Sequence, residues 1–337
     1  MKKILVIGCG LSGCVIAYEF AKKGYDVSII EKRNHIGGNC YDFKNEINIL
    51  IHKYGPHLFH TSNDECVSWL SKFTDWIPYK HKVKAQLSDG SYVTLPVNKE
   101  TVEIVGKDNI IDTFFAPYTK KMWGLELSEI SPDIINRVPI REDLNEYYFP
   151  NDSFQAMPKD GYTKVFEQIL SHENIKVYLN TPYKIGIEKN FDLIFNSMPI
   201  DEYFDYNLGY LPYRSIKFHT YTIPVPHILP VATVNFTNNS PFTRVTEWKN
   251  IPNNPTNMQN EFYTTITIEE PCSYELNNME RYYPIKDLSG ENIKLYKQYL
   301  SQKDNNMFFI GRCGKYTYMD MDDTISESLK LCKELLS

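Results

Sequence analysis

The pattern of apolar and polar positions changes period several times within the first thirty-one residues. Lys3-Ile4-Leu5-Val6-Ile7 is a short continuous apolar run and reads as a buried strand. Gly8-Cys9-Gly10-Leu11-Ser12-Gly13 interrupts it, a helical pattern follows from Cys14 to Lys23, and Asp26 to Ile30 reads as a second strand that runs into Glu31. Further along, a helix is expected from Asn63 to Phe73. Two alternating segments, Lys82 to Leu87 and Tyr92 to Leu95, flank Ser88-Asp89-Gly90-Ser91 and predict a hairpin. Residues 99–129 are mostly helical in pattern, from Lys99 to Val105 and from Asn109 through Trp123. A helix over Tyr162 to Ser171, strands over Ile175 to Leu179 and Phe191 to Phe195, and a strand-rich stretch over 205–285 come next. The chain closes as strand Met307 to Ile310, then Gly311-Arg312, then a helix from Thr324 to Leu336. No internal repeat or low-complexity tract interrupts this order.

The opening strand, glycine turn, helix, strand and acid form a dinucleotide-binding unit. Gly8 permits the tight turn, Gly10 lets the backbone approach a pyrophosphate, and Gly13 lets helix and strand pack closely. The helix N-terminus that follows the turn offers unpaired N–H groups to phosphate. Glu31 follows about twenty residues on, where an acid holds a ribose hydroxyl. Past it, Lys32-Arg33-Asn34-His35-Ile36-Gly37-Gly38-Asn39 adds a basic residue and a Gly-Gly pair. A dinucleotide that extends further, as FAD does, needs more backbone approach there than NAD. The run resembles the glycine-rich continuation of FAD-binding oxidoreductases and mutases.

Bulk properties narrow the class only slightly. At 337 residues the chain is long enough for two or more domains. No apolar run approaches a membrane span, and MKKILVIGCG reads as a buried strand rather than a signal peptide. The seven cysteines show no CxxC or metal-ligand spacing, so they are expected as reduced thiols in a cytoplasmic protein. A formal charge of −6 gives no long-range attraction for nucleic acid. The 25 Tyr and 18 Phe suit stacking on a base and bonding to sugars and phosphates, although codon bias raises Tyr as well.

Several local motifs, in order along the chain, then point to one family. His52-Lys53-Tyr54-Gly55-Pro56-His57-Leu58-Phe59-His60-Thr61, Tyr118-Thr119-Lys120-Lys121-Met122-Trp123-Gly124, Arg137-Val138-Pro139, Tyr282-Tyr283-Pro284, and Gly311-Arg312 followed by Tyr316-Thr317-Tyr318-Met319-Asp320-Met321 resemble the UDP-galactopyranose mutases. The resemblance implies an α/β fold: a Rossmann-like FAD-binding domain (1–77, 158–203 and 300–337), a β-rich substrate domain (78–97, 134–157 and 204–299) and a small helical insertion (98–133). It implies a redox-neutral isomerase that interconverts UDP-galactopyranose and UDP-galactofuranose. Reduced FAD N5 would attack the anomeric carbon and expel UDP, and the sugar would reclose as a furanose. No protein nucleophile is then needed. An external reductant such as NAD(P)H is implied, with no nucleic-acid or membrane partner, and a homodimer is an open expectation.

The same resemblance assigns residues. Arg137 and Arg244 match the diphosphate arginines, the natural groups for that anion. Tyr148, Tyr283 and Tyr318 match phosphate-binding tyrosines. Phe114, Tyr118 and Trp123 match the uridine site, the first two spaced i, i+4 on one helix face. His57 and His60 flank the flavin, Arg312 lies near the flavin and its phosphates, and Asp320 is an acid beside the sugar–phosphate site. Gly8, Gly10, Ser12, Gly13, Glu31, Lys32, Gly38 and Asn39 complete the cofactor set. No metal is expected, since the histidines lack acidic or Cys partners at ligand spacing.

Two departures stand out. The stretch from Leu95 to Trp123 is much shorter than in bacterial members, which leaves room for about two helices in 99–129. His81, in Pro78-Tyr79-Lys80-His81, stands where those enzymes typically carry Asn near the sugar, or else it faces solvent at the hairpin base. UDP-N-acetylgalactosamine or another UDP-hexopyranose is therefore an alternative substrate. A flavin oxidoreductase of the amine-oxidase or protoporphyrinogen-oxidase superfamily is a second reading, and an inactive flavin or UDP-sugar binding protein a third.

Overall fold

The computed structural model describes residues 2–126, 129, 140–285 and 289–337. Arg137, with Val138 and Pro139, lies outside the described residues.

A five-stranded parallel sheet runs in the order Ile175–Tyr178, Asp26–Ile30, Lys3–Ile7, Leu193–Asn196, Met307–Phe309. Both faces of its central strand are covered, which explains the unbroken apolar run. Ile4 and Val6 pack with Val15, Ile16 and Phe20 of helix Leu11–Lys22. Leu5 and Ile7 face the other way, into a cluster with Ile194, Ile200 and Tyr299. Burial of each such side chain contributes roughly 1.5–3 kcal/mol.

The first helix begins at Leu11, earlier than the expected Cys14. Gly10, extended at φ −84°, is its N-cap, so Ser12 and Gly13 are already helical. Gly13 is required there because a Cβ would lie 2.2 Å from the Gly8 carbonyl oxygen. The last helix likewise starts early, spanning Met321–Leu336 rather than beginning at Thr324. Asp320 is its N-cap, and the Asp323 carboxylate accepts from the Asp320 N–H at 3.1 Å. The acids of the first turn favour that positive helix end. Asn63 caps helix Asp64–Leu70, accepting from the Glu65 N–H at 3.0 Å.

A seven-stranded mixed sheet lies beside this unit, in the order Tyr283–Pro284, Tyr213–Ile223, Thr264–Ser273, Arg244–Glu247, Thr233–Phe236, Val83–Gln86, Tyr92–Leu95. The hairpin supplies its last two strands, paired Val83 with Leu95. A three-stranded sheet of Phe59–Thr61, Phe154–Pro158 and Trp76–Pro78 adds Phe59, Trp76 and Phe154 to the core cluster around the first helix. The helical stretch differs from the single run expected over Asn109 to Trp123. After Lys99–Val105 comes a 3₁₀ turn at Lys107–Asn109, a π-helical turn at Ile111–Phe115 and an α-helix at Ala116–Trp123. Pro117 has no N–H for the Thr113 carbonyl and crowds it, so the regular ladder cannot pass through. Among the described residues no helix is long and apolar enough to cross a membrane.

Candidate active site

The glycine turn, Glu31 and the Gly37-Gly38 pair close on one another. Both Glu31 carboxylate oxygens accept backbone bonds, from Cys9 N–H at 2.8 Å and from Arg33 N–H at 2.8 Å. The Gly37 N–H donates to the Cys9 carbonyl at 2.9 Å, and a Cβ on Gly38 would sit 2.8 Å from Gly10 Cα. The helix at Leu11 has no side-chain cap, so its first-turn amides stay open to an anion. The cavity over this cradle measures about 290 Å³. Gly8, Gly10, Ser12, Gly13, Glu31, Lys32, Gly38, Asn39 and Arg312 all line it.

A second, larger cleft of about 460 Å³ opens beside it, against the seven-stranded sheet. Asn39, His57, Arg312, Asp320 and Met321 belong to both linings, so the two spaces meet at these residues. The expected Phe114, Tyr118, Trp123, Tyr148, Tyr283, Tyr318, His81, His60 and Arg244 all line the cleft.

Its cationic wall is assembled by strand pairing. Arg244 and Glu269 are register partners on adjacent strands, with Nε 2.8 Å from Oε2. Burial opposes the Arg244 charge, but Glu269, Tyr118 and Tyr283 outweigh it and hold the guanidinium pKa above its usual value. Arg312 lies 5.2 Å from the Tyr283 ring centroid and 4.7 Å from that of Tyr318, and the two rings stack at 5.7 Å. Arg312 also donates to the Met319 carbonyl at 2.5 Å.

The aromatic wall hangs from the short helix. Trp123 meets Tyr283 edge-on at 6.1 Å. Arg214 Nε donates to the Met122 carbonyl at 2.7 Å and Nη2 to the Lys121 carbonyl at 3.0 Å, capping the helix end. Lys121 Nζ ties the same turn to the Phe236 and Phe242 carbonyls at 3.1 and 3.0 Å. The expected i, i+4 relation of Phe114 and Tyr118 crosses from the π-helical turn into the α-helix, and both side chains still reach the cleft.

The three histidines are placed differently from one another. His57 Nδ1 meets the Gly55 carbonyl at 2.9 Å, and burial pushes its pKa down to about 3. His81 does not face solvent: it is buried in the cleft, its Nδ1 3.0 Å from Tyr79 Oη, and burial also brings it to about 3. His60 stands off the dinucleotide cavity and lines the cleft instead, bonded to Asp152 at 2.7 Å. Asp320, the helix cap, faces both spaces.

Several residues at these sites escaped the sequence reading. Glu269 carried one usable signal: in Ile268-Glu269-Glu270, one of two consecutive strand carboxylates must point inward. Arg33, bonded to Asn39 at 3.0 Å and to Glu280 at 2.5 Å, and Arg281, paired with Glu202 at 2.6 Å, border the dinucleotide cavity. Nothing local in the sequence marked their partners. Among the described residues no group of three or more His, Cys, Asp or Glu side chains is arranged to hold a metal.

Comparison with known proteins agrees with this geometry. Residues 113–318 match the family described as UDP-galactopyranose mutase, and residues 6–73 match an NAD(P)-binding Rossmann-like domain. A probable UDP-galactopyranose mutase of Klebsiella pneumoniae is 34% identical, over 100% of this chain and 95% of that protein. A dTDP-fucopyranose mutase of Escherichia coli is 32% identical, over 99% of this chain and 98% of its own length. The crystal structure of a reduced UDP-galactopyranose mutase superposes with a TM-score of 0.72 at 16% identity, covering 100% of this chain and 94% of that one.

Proposed function

The chain belongs to the UDP-galactopyranose mutase family of isomerases, and we propose that it interconverts UDP-galactopyranose and UDP-galactofuranose on reduced FAD. The observation that carries this reading is the meeting of a dinucleotide cavity and an arginine–tyrosine cleft at Asn39, His57, Arg312 and Asp320. A cofactor in the first space would present its far end to a sugar in the second. The Gly10–Gly38 approach leaves a cradle that any Cβ would fill, which fits a pyrophosphate and an extended dinucleotide. We assign 1–77, 158–203 and 300–337 to the unit that holds it, 98–133 to the helical insertion, and the remaining segments to the substrate domain.

Reduced flavin, when bound, supplies the nucleophile for the anomeric carbon. The chain's own residues do the rest. Glu31 and Lys32 hold the ribose end, while the amides after Gly10 and Arg312 take phosphate charge. Arg244, braced by Glu269, faces the departing diphosphate, a role the family resemblance also gives to Arg137, and Tyr148, Tyr283 and Tyr318 bond its oxygens. Phe114, Tyr118 and Trp123 grip the uracil, so the base is bound in every state of the reaction. His57, neutral through burial, lies beside the flavin, and Asp320 lies beside the sugar–phosphate. An external donor such as NAD(P)H would bring bound flavin to its reduced state.

A second hexose, UDP-N-acetylgalactosamine or a related sugar nucleotide, is kept in view by one observation. Buried His81 stands in the cleft at the place where the family typically carries Asn. Chromatography decides the main reading: purified protein incubated with UDP-galactofuranose and dithionite should yield UDP-galactopyranose. Persistence of the furanose would exclude that substrate.

A further inference from the structure

Of the three histidines lining the cleft, one carries a carboxylate. His60 Nδ1 lies 2.7 Å from Asp152 Oδ2, and its ring stacks on Phe149 with centroids 3.4 Å apart and planes 12° from parallel. His60 sits on strand Phe59–Thr61, opposite Gln155 of the neighbouring strand. The Gln155 side chain donates to the Phe149 carbonyl at 2.7 Å and to the Asp152 carbonyl at 3.2 Å. The loop that supplies both contacts is therefore fixed from the strand beside it. The imidazole is held on one edge and one face, and Nε2, on the opposite edge from Asp152, belongs to a residue that lines the cleft.

A carboxylate at Nδ1 keeps a proton on that nitrogen, so proton exchange occurs at Nε2. His57 and His81 lack this arrangement. Their Nδ1 atoms meet a carbonyl and a tyrosine hydroxyl, and burial makes both weak bases.

We propose that His60 carries the proton exchanged between two sugar oxygens during ring contraction, with Asp152 as its positioning partner. The proposal rests on the mutase reading. As the ring opens, the bond from the anomeric carbon to the ring oxygen breaks and its electron pair stays on oxygen. That oxygen takes a proton from His60 Nε2. As the furanose closes, the 4-hydroxyl gives its proton to the Nε2 lone pair, and its oxygen forms the new bond to the anomeric carbon. Reduced flavin, when bound, would supply the electron pair that carbon needs while the ring is open, and would regain it at closure. His60 ends as it began, and no oxidant or reductant is consumed.

The test separates cleavage at the diphosphate from ring contraction. With UDP-galactopyranose labelled with ¹⁸O in the bond to the anomeric carbon, scrambling of label within the β-phosphate reports scission of that bond. Formation of UDP-galactofuranose reports the ring exchange. In His60→Asn holoenzyme, scrambling should persist while contraction falls on the order of a hundredfold or more. Unchanged contraction, or an equal loss of both, would overturn the proposal. A wild-type enzyme that does neither would overturn the mutase reading, and this proposal with it. A second measurement needs no turnover. In ¹⁵N NMR, neutral His60 should be the Nδ1–H tautomer and should lose that preference in Asp152→Asn. An Nε2–H tautomer in the wild type would overturn the dyad whatever the variants do.

Discussion

Arg244 and Glu269 face each other across adjacent antiparallel strands, Nε to Oε2 at 2.8 Å, with Glu269 fully buried beneath the arginine. Arg244, the arginine proposed for the diphosphate, thus rests on a buried counter-charge, and removing either partner strands the other. Arg244→Ala should cost stability, about 3–5 kcal/mol for an uncompensated buried charge. It should also cut activity roughly thirtyfold or more. Arg244→Lys keeps the charge and loses the planar fork, so folding should survive while activity falls. Thermal unfolding and turnover measured on both variants check this; near-wild-type turnover in Arg244→Lys would remove the fork from the account.

Two glycines of the opening turn should fail in different ways. A Cβ on Gly10 meets nothing closer than Gly38 Cα at 3.8 Å, whereas one on Gly13 meets the Gly8 carbonyl oxygen at 2.2 Å. Gly10→Val should therefore fold and purify colourless, its side chain lying in the pyrophosphate path. Gly13→Ala should damage the fold itself. Flavin absorbance and circular dichroism distinguish these outcomes, and a yellow Gly10→Val protein would contradict the placement of the cofactor.

The contrast between legible and hidden features has a physical cause. The glycine turn, Glu31 and the Asp89-Gly90 hairpin depend on residues close in sequence, and a local reading finds them. The Arg244–Glu269 pair depends on strand register across a gap of twenty-five positions, which no local pattern encodes. His81 lies just before the strand Val83–Gln86, where no alternation fixes its direction, and its burial depends on tertiary packing, so the sequence left solvent and cleft equally open. The helices start earlier than the apolar pattern predicts, at Leu11 and Met321, because Gly13 of the glycine turn is a helical packing requirement and Asp320, expected as a site acid, is also a helix cap. The π-helical turn at Ile111–Phe115 follows from Pro117, a signal present in the sequence but passed over.

Trp123→Ala should raise KM for the UDP-sugar more than it lowers kcat. The ring packs against Tyr283 at the cleft wall, and a base held equally in ground and transition states contributes uniform binding. Steady-state kinetics under dithionite provide the check; a fall confined to kcat would take Trp123 out of the base site.

Acid should destabilise the protein below neutrality. Burial lowers His52, His57 and His81 to about 3 in the folded state, against about 6.5 in the unfolded chain. The unfolded chain binds more protons between these values, so the stability these groups contribute is present above pH 6.5 and is lost as pH falls toward 3. Each contributes up to about 1.4 kcal/mol per pH unit in that window. Denaturant midpoints between pH 7 and 4 should fall steeply, and less steeply in His81→Asn. An unchanged slope in that variant would mean that His81 is protonated in the folded protein.

His81→Asn should also shift preference between UDP-galactose and UDP-N-acetylgalactosamine. A hydrogen bond gained or lost at a sugar hydroxyl moves such a ratio by about 1 kcal/mol, roughly fivefold. Both substrates assayed on wild type and variant give the answer, and an unchanged ratio would leave hexose choice to other residues of the cleft.

The central claim is that a dinucleotide cavity feeding an arginine–tyrosine cleft performs a redox-neutral isomerisation on a reduced flavin. Its most direct test counts products against electrons. Wild-type protein is supplied anaerobically with UDP-galactofuranose and a limiting, measured quantity of reductant, and UDP-galactopyranose is quantified. Product in large excess over reducing equivalents, with none from the oxidised protein, is the result expected. One product per reductant consumed, or equal turnover by oxidised protein, would contradict the account.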